Sequence, residues 1–257
     1  MIARPWHIGG SLPRERIELI MPQLRQLVIA AEDPERLARF YQEVFDLERI
    51  EENQGALFLS DGIFNLGLVP ESDPEQRGFR HLGFDTVRVE SMGKKLVQVG
   101  MADSDVCEVN SIAGIDHEFK DPDGNTVGVS RRAFDVAYTA RPVPIRHIAL
   151  YTPNPQKLAD FYCKVLDMQE VDRTDRSSIF VSDGYLNLAL LYQRKEEPSG
   201  LNHFGFHVQS NEEMQSRAER AGVRRGAKRP ERIPFAEYRV HDPEGNGIDI
   251  SQKGWRV

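Results

Sequence analysis

The chain of 257 residues has 40% hydrophobic and 28% charged residues, a composition typical of a globular protein with a buried core. Its net charge of -7 argues against a nucleic-acid partner, because phosphate binding favours a basic surface. No segment has the roughly 18 consecutive apolar residues that a membrane-spanning helix needs, and residues 1–20 lack the apolar core of a signal peptide. Two cysteines, Cys107 and Cys163, do not suffice for a disulfide framework, so we expect a cytoplasmic protein.

The sequence contains an internal duplication of a unit of about 110 residues. LRQLVIAAEDPERLARFYQEVFDLERI aligns without gaps with IRHIALYTPNPQKLADFYCKVLDMQEV, and three further pairs follow in the same order: FLSDGIFNLGLV with FVSDGYLNLALL, FRHLGFD with LNHFGFH, and KDPDGNTVGVS with HDPEGNGIDIS. The duplication predicts four parts, namely an N-terminal arm at 1–23, a first domain at 24–130, a linker at 131–144 and a second domain at 145–257.

Each copy opens with an apolar strand and an amphipathic helix. Asp33 and Asn154 are placed to cap the two helices, and a proline follows each cap at the first helical position. Apolar residues then recur at i, i+3, i+4, i+7 and i+8, which predicts one core-facing stripe in each helix. The stripes comprise Leu37, Phe40, Tyr41, Val44 and Phe45 in the first copy, and Leu158, Phe161, Tyr162, Val165 and Leu166 in the second.

The second part of each copy follows the same plan. FRHLGFD and LNHFGFH predict a strand, and a second helix comes after it. In the second copy Ser210 and Glu213 have capping-box spacing and Gly222 is a stop signal. Two strands joined by DPDGN or DPEGN complete the unit, since proline and glycine favour turns. The order is therefore βαβββ, used four times, and the fold class is α+β.

This pattern resembles the vicinal oxygen chelate superfamily. Paired βαβββ units, a histidine in HxxF opening the second unit and a DPxGN turn near its end carry the resemblance over residues 24–130 and 145–251. The superfamily includes glyoxalase I, methylmalonyl-CoA epimerase, fosfomycin and bleomycin resistance proteins, and extradiol dioxygenases. The resemblance implies four βαβββ modules that form two tandem domains, and two such domains in one chain look most like the extradiol type.

The resemblance also implies a metal site in the second domain. The superfamily's ligand positions fall on His147, His203 and Asp249, and a fourth position used by glyoxalase-like members falls on Asn187. Two imidazoles and one carboxylate suit Fe(II), with Mn(II) or Zn(II) as alternatives. Asp249 stands where glutamate is usual and is one methylene shorter. The competing interpretation is a degenerate cup in which the three side chains only hydrogen-bond to each other.

The same positions in the first domain hold residues that cannot form this triad. They are Gln26, His81 and Gly128, with Asn65 in the fourth position. Gly128 has no side chain to offer, and a glutamine amide is a weak neutral ligand. The first domain is therefore predicted to be structural, either covering the second domain or forming an interface.

Strand alternation adds candidates around the second site. Tyr151 is predicted to lie on the His147 face and is a candidate catalytic residue. His207 is predicted on the His203 face, about 13 Å along the strand, as an acid or base that reaches substrate but not the metal. Arg239 stands where the extradiol signature has tyrosine, three residues before the Asp-Pro turn, so an anionic substrate is attractive. Tyr238 beside it is a further substrate-binding candidate, although alternation turns it the other way.

These observations predict a metal-dependent enzyme acting on a small molecule with vicinal oxygens, most like an extradiol dioxygenase. One alternative is a glyoxalase-like or epimerase-like lyase or isomerase in which Asn187 completes the metal site. Another is a metal-free protein of the resistance type that binds a small molecule in the cup. We expect a small-molecule substrate, no nucleic-acid or membrane partner, and a possible homo-oligomer.

Overall fold

A computed structural model describes residues 21–86, 88–102, 106–109, 114–131, 134, 141–174, 178–194, 199–231, 233 and 235–257. Most of the predicted N-terminal arm (1–23) and of the predicted linker (131–144) lies outside these residues. The boundaries predicted for the four parts of the chain therefore stay predictions.

The first half forms one mixed sheet of eight strands. The strands are β1 Gln23–Ala31, β2 Glu48–Asn53, β3 Ala56–Ser60, β4 Asn65–Pro70, β5 Gly78–Asp85, β6 Cys107–Glu108, β7 His117–Lys120 and β8 Thr126–Ser130. Their order across the sheet is β2-β3-β4-β1-β5-β8-β7-β6. Strand β1 pairs parallel to β4 and antiparallel to β5, so the first strands of the two modules lie side by side at the centre.

The second half repeats this sheet. Its strands are β9 Ile145–Thr152, β10 Gln169–Arg173, β11 Ile179–Ser182, β12 Asn187–Tyr192, β13 Gly200–His207, β14 Ala227–Lys228, β15 Tyr238–His241 and β16 Gly247–Ser251. The order is β10-β11-β12-β9-β13-β16-β15-β14, which is the order of the first sheet position by position. The predicted α+β fold of four βαβββ modules in two tandem domains is confirmed.

Each module contributes one α-helix in the described part of the chain. The helices are α1 Pro34–Phe45, α2 Val89–Gln98, α3 Pro155–Leu166 and α4 Asn211–Arg220, and a short 3-10 helix spans Pro74–Gln76. The predicted caps are present, because Asp33, Asn154 and Ser210 accept hydrogen bonds from the backbone N–H three residues further on. None of the described helices has both the length and the apolar composition needed to cross a bilayer.

The helices join the two halves in one hydrophobic core. Phe45 of α1 stacks on Phe206 of β13 with ring centroids 4.0 Å apart, although the two residues belong to different halves. The Tyr41 hydroxyl donates to Asp242 at 2.7 Å, and the Tyr162 hydroxyl donates to Asp121 at 3.0 Å. Because each half anchors a helix of the other half, the apolar faces of both sheets are buried by the same set of contacts.

The two Ser-Asp-Gly turns make a second reciprocal connection. Asp61 accepts a hydrogen bond from the backbone N–H of Ile145 at 2.6 Å, and Asp183 accepts one from Leu24 at 2.8 Å. Each turn therefore holds the first strand of the other half. These two strands carry the positions on which the metal-site prediction depends, so the connection fixes where those positions lie.

The shared core predicts that the two halves unfold together. Phe45→Ala removes a fully buried ring, which should lower the free energy of unfolding by about 3–5 kcal/mol. Calorimetry and circular dichroism should show one transition moved to lower temperature. Val97→Ala, at a residue that is 52% exposed, is the control and should change stability little. Two transitions, of which only one moves, would contradict a shared core.

Candidate metal centre

The three predicted metal ligands lie on neighbouring strands of the second sheet. In the strand register Gly205 of β13 pairs with His147 of β9 on one side and with Asp249 of β16 on the other. His203 is two residues from Gly205 on the same face of β13. The three side chains are therefore brought together on the face of the sheet opposite the helices, with Gly205 leaving room between them.

The side chains are in direct contact and almost fully buried. His147 Nε2 lies 3.2 Å from His203 Nε2, and His203 Nε2 lies 3.1 Å from Asp249 Oδ2. The exposed fractions of the three residues are 3%, 5% and 1%. The three residues that the sequence predicted to share a site therefore form a compact, buried polar cluster.

Two amide side chains contact the outer ring nitrogens of the histidines. Asn187 Oδ1 lies 2.9 Å from His147 Nδ1, and the Asn187 amide group donates to the carbonyl of Arg256 at 2.7 Å, which orients the side chain. Because an amide oxygen only accepts, His147 donates from Nδ1, and its Nε2 has a lone pair that faces the cluster. Asn202 Oδ1 lies 2.6 Å from His203 Nδ1, and His203 Nε2 faces Asp249.

Burial and charge set the protonation of the cluster. Burial lowers the pKa of His147 to about 3 and also lowers the pKa of His203, so both rings are neutral near pH 7. Burial opposes ionisation of Asp249, but His203 and Arg239 outweigh it and hold the pKa of this carboxyl below its usual range. Since His203 is neutral, Arg239 is the lasting source of positive charge, with Nε 2.5 Å from Asp249 Oδ1.

The donor set fits a divalent cation. Two imidazole nitrogens and one carboxylate oxygen, which are ligands that a divalent cation accepts, converge within 3.2 Å of each other around His203 Nε2. Adjacent ligands of an octahedral ion at about 2.2 Å lie about 3.1 Å apart, which matches the separations around His203. Among the described residues no three His, Cys, Asp or Glu side chains are arranged so that they could hold a metal ion as they stand. Metal binding by His147, His203 and Asp249 would therefore require their side chains to move.

The first half has a closed counterpart of this cluster. Gln26 Oε1 lies 2.9 Å from His81 Nε2, so the two polar groups satisfy each other. Gly128 lies where the second half has Asp249, and a Cβ atom added there would be 2.6 Å from Ile115 Cγ2. The space of the missing carboxylate is thus filled by an apolar side chain.

Trp255 lies against the cluster, which the sequence reasoning did not find. Its ring is parallel to His147, with centroids 5.0 Å apart, and a Cβ atom added to Gly205 would be 2.8 Å from it. The first half repeats this contact, because Phe134 lies equally close to Gly83. Phe134 comes four residues after Ser130, and Trp255 comes four residues after Ser251; these serines end the last strand of each half. Extending the repeat alignment past Ser130 and Ser251 would have predicted the pair.

The two predicted catalytic residues lie towards opposite ends of β13. His207 lies 3.3 Å from the carbonyl of Gln252 through Nε2, and the Trp255 ring fills the space above Gly205, between His207 and His203. Tyr151 pairs in register with Gly200, near the other end of β13. Both residues are partly exposed, so their catalytic roles stay predictions.

The two substrate-binding candidates of β15 point to opposite faces. Arg239 pairs with Asp249 and reaches its carboxylate. Tyr238 pairs with Ile250 and packs against the core on the helix side of the sheet. The structure therefore brings Arg239 to the cluster and does not bring Tyr238 there.

The family comparison gives the class of the protein. The profile of the Glyoxalase/Bleomycin resistance protein/Dioxygenase superfamily matches residues 23–129 and again residues 145–250. The chain belongs to this superfamily and contains its unit twice. A comparison with the curated proteins finds no match.

Solved structures share the whole fold. The chain is similar to the 2,3-dioxygenase LapB from Pseudomonas sp. KL28, with a TM-score of 0.72 and 16% identity over 93% of this chain and 95% of that one. It is similar to the Mn(II)-bound glyoxalase from Novosphingobium aromaticivorans, with a TM-score of 0.71 and 19% identity over 93% and 84%. The 2,2',3-trihydroxybiphenyl 1,2-dioxygenase from Sphingomonas wittichii strain RW1 gives 0.69 and 14% over 92% of each chain. These low identities show the fold alone.

The buried His81 predicts how stability changes with pH. Burial lowers the pKa of His81 to about 4 from an ordinary value of 6.5, so between these values the unfolded chain binds more protons. This contribution is fully present above pH 6.5 and is lost as the pH falls towards 4. His81→Gln should reduce this loss of stability by up to about 3 kcal/mol. Urea titrations at several pH values should therefore show a free energy of unfolding that falls less steeply with decreasing pH than in the unaltered protein. The same slope in both proteins would contradict this expectation.

Proposed function

We propose that the protein is a metal-dependent enzyme, most like an extradiol dioxygenase, whose site lies in the second half. Its substrate is a small molecule that binds the metal through two adjacent oxygens. The observation that carries the proposal is the convergence of His147, His203 and Asp249, with the outer nitrogen of His147 held by the oriented amide of Asn187.

The three side chains have separate tasks. His147 and His203 hold the ion through Nε2, and Asp249 supplies the negative charge through Oδ2. We propose Fe(II) as the ion, with Mn(II) or Zn(II) as alternatives. When bound, the ion polarises the substrate oxygens and leaves coordination positions open for reactants.

Asn187 acts as a positioning residue in this proposal. Its oxygen accepts from His147, and its amide nitrogen donates to the Arg256 carbonyl, so both polar atoms of the side chain are already engaged. A four-ligand site would have to break the bond to His147. The contacts of Asn187 therefore favour three protein ligands, which leaves more room for substrate and oxygen.

A small apolar cluster beside the triad suits a compact substrate. Ala149, Phe180 and Ala189 are buried together on this face of the sheet, and Leu191 packs against them. Phe235 meets Phe180 edge to face at 6.0 Å and adopts a left-handed backbone with φ of 74°. A left-handed backbone is costly for a bulky residue, so packing contacts such as the one with Phe180 must hold Phe235 in this conformation. These side chains form an apolar wall for a small planar molecule.

Two alternatives rest on observations of their own. A lyase or isomerase with a redox-inert metal is supported by the similarity to a Mn(II)-bound glyoxalase. A metal-free binding protein is supported by Arg239, which already neutralises Asp249 without an ion. The first alternative differs from the main proposal in its need for oxygen, and the second differs in metal content.

Metal binding should occur once per chain, in the second half. The chain has two tryptophans, so Trp6→Phe makes Trp255, beside His147, the reporter. Titration with Mn(II) should change its fluorescence up to one equivalent, and His203→Ala should weaken binding at least about ten-fold. His81→Ala, the matching change in the first half, should leave the titration unaltered. Binding of two equivalents, or binding unaffected by His203→Ala, would contradict the proposed site.

Oxygen dependence should separate the two enzyme hypotheses. The Fe(II) protein, assayed on a panel of vicinal oxygenated compounds, should lose turnover in the absence of oxygen. Asn187→Ala should keep the metal, because the amide is a positioning group and not a ligand. Undiminished anaerobic turnover with Mn(II) or Zn(II), together with loss of metal in Asn187→Ala, would indicate the lyase or isomerase instead.

A further inference from the structure

Two arginines converge on the outer oxygen of the Asp249 carboxylate. Arg239 reaches Oδ1 with Nε at 2.5 Å, and Arg229 lies 3.8 Å from the same atom. Their side chains are only 15% and 22% exposed, so water screens them weakly. The backbone supports this arrangement, because the Arg229 N–H donates to the Glu237 carbonyl at 2.8 Å, one step before β15.

Arg239 uses only part of its hydrogen-bonding capacity on Asp249. Its Nη2 atom is buried and has no hydrogen-bond partner among the described residues. A buried donor without an acceptor is costly, and a guanidinium group presents its donors as a planar fork that matches a carboxylate or a phosphate. The side chain therefore presents an unused donor next to the proposed metal site.

We propose that Arg239, reinforced by Arg229, binds a carboxylate or phosphate group of the substrate. This inference rests on the proposed function and narrows it to compounds that carry two vicinal oxygens and an anionic group. Arg239 is then a specificity residue as well as the group that orients Asp249. Arg229 adds positive charge to the same place.

The test compares two ligands with the same chelating oxygens. Calorimetric titration of the Mn(II)-loaded protein uses catechol and 3,4-dihydroxybenzoate, which differ in one carboxylate. The carboxylated ligand should bind at least about ten-fold more tightly, as expected for a hydrogen-bonded charge pair. Inorganic phosphate and acetate should each weaken its binding and leave that of catechol unchanged, and their relative strengths identify the preferred anion.

Variants separate recognition from positioning. Arg239→Gln should lose the preference for 3,4-dihydroxybenzoate while keeping one equivalent of Mn(II), and Arg239→Lys should keep part of the preference. Arg225→Gln is the matched control, because Arg225 pairs with Glu212 and Glu219 on the surface and should keep the full preference.

Three outcomes would decide against the inference or its basis. Equal binding of both ligands by the unaltered protein overturns the inference and leaves the proposed function intact. An Arg239→Gln protein that is loaded with Mn(II) and still prefers 3,4-dihydroxybenzoate to catechol also overturns the inference. Failure of the unaltered protein to bind Mn(II) removes the proposed function itself.

Discussion

The two sheets bury their apolar faces in one core that contains helices of both halves, and the rest of the structure depends on this shared core. Strand alternation gives every strand a face towards this shared core and a face towards a cup. In β13 Phe204 and Phe206 are fully buried in the core, whereas His203 points to the cup. The apolar faces therefore form the shared core, and the polar cluster of His147, His203 and Asp249 lies on the opposite face of the second sheet. This separation allows the two copies to keep one fold while their cups differ.

The two cups show what changed and what was kept. Both retain an amide at the fourth position and an aromatic ring over the central glycine, Phe134 in one half and Trp255 in the other. Because the ring is present beside the closed cup as well, its first role is to fill the space above the glycine. The changed positions are those of the predicted metal ligands. Where the second half has a carboxylate, the first half has a glycine covered by Ile115.

The repeat, the caps and the alternation of apolar residues were sufficient to predict the fold, because these are local patterns that the core merely reinforces. The family resemblance pointed to His147, His203 and Asp249, which the strand register brings to one face. It could not predict what surrounds them. Trp255 and Arg229 reach the cluster from loops, so their positions depend on how distant segments pack. His207 shows the same limit, since the strand pattern put it on the right face but gave no sign of the indole between it and His203.

The neighbouring strand supplies a further argument about charge. Arg239 pairs with Asp249 in β15 and β16, and the equivalent pair in the first half is Glu118 with Gly128. The position that carries a carboxylate, Asp249, is therefore paired with an arginine. The position that lacks one, Gly128, is paired with a glutamate. A glutamate beside Asp249 would bring two negative charges close together in a buried site, which opposes ionisation. Arg239 has the opposite effect and keeps the Asp249 carboxylate ionised. The second half therefore combines the Asp249 carboxylate with the positive charge that keeps it ionised, and the equivalent pair of strand positions in the first half has neither.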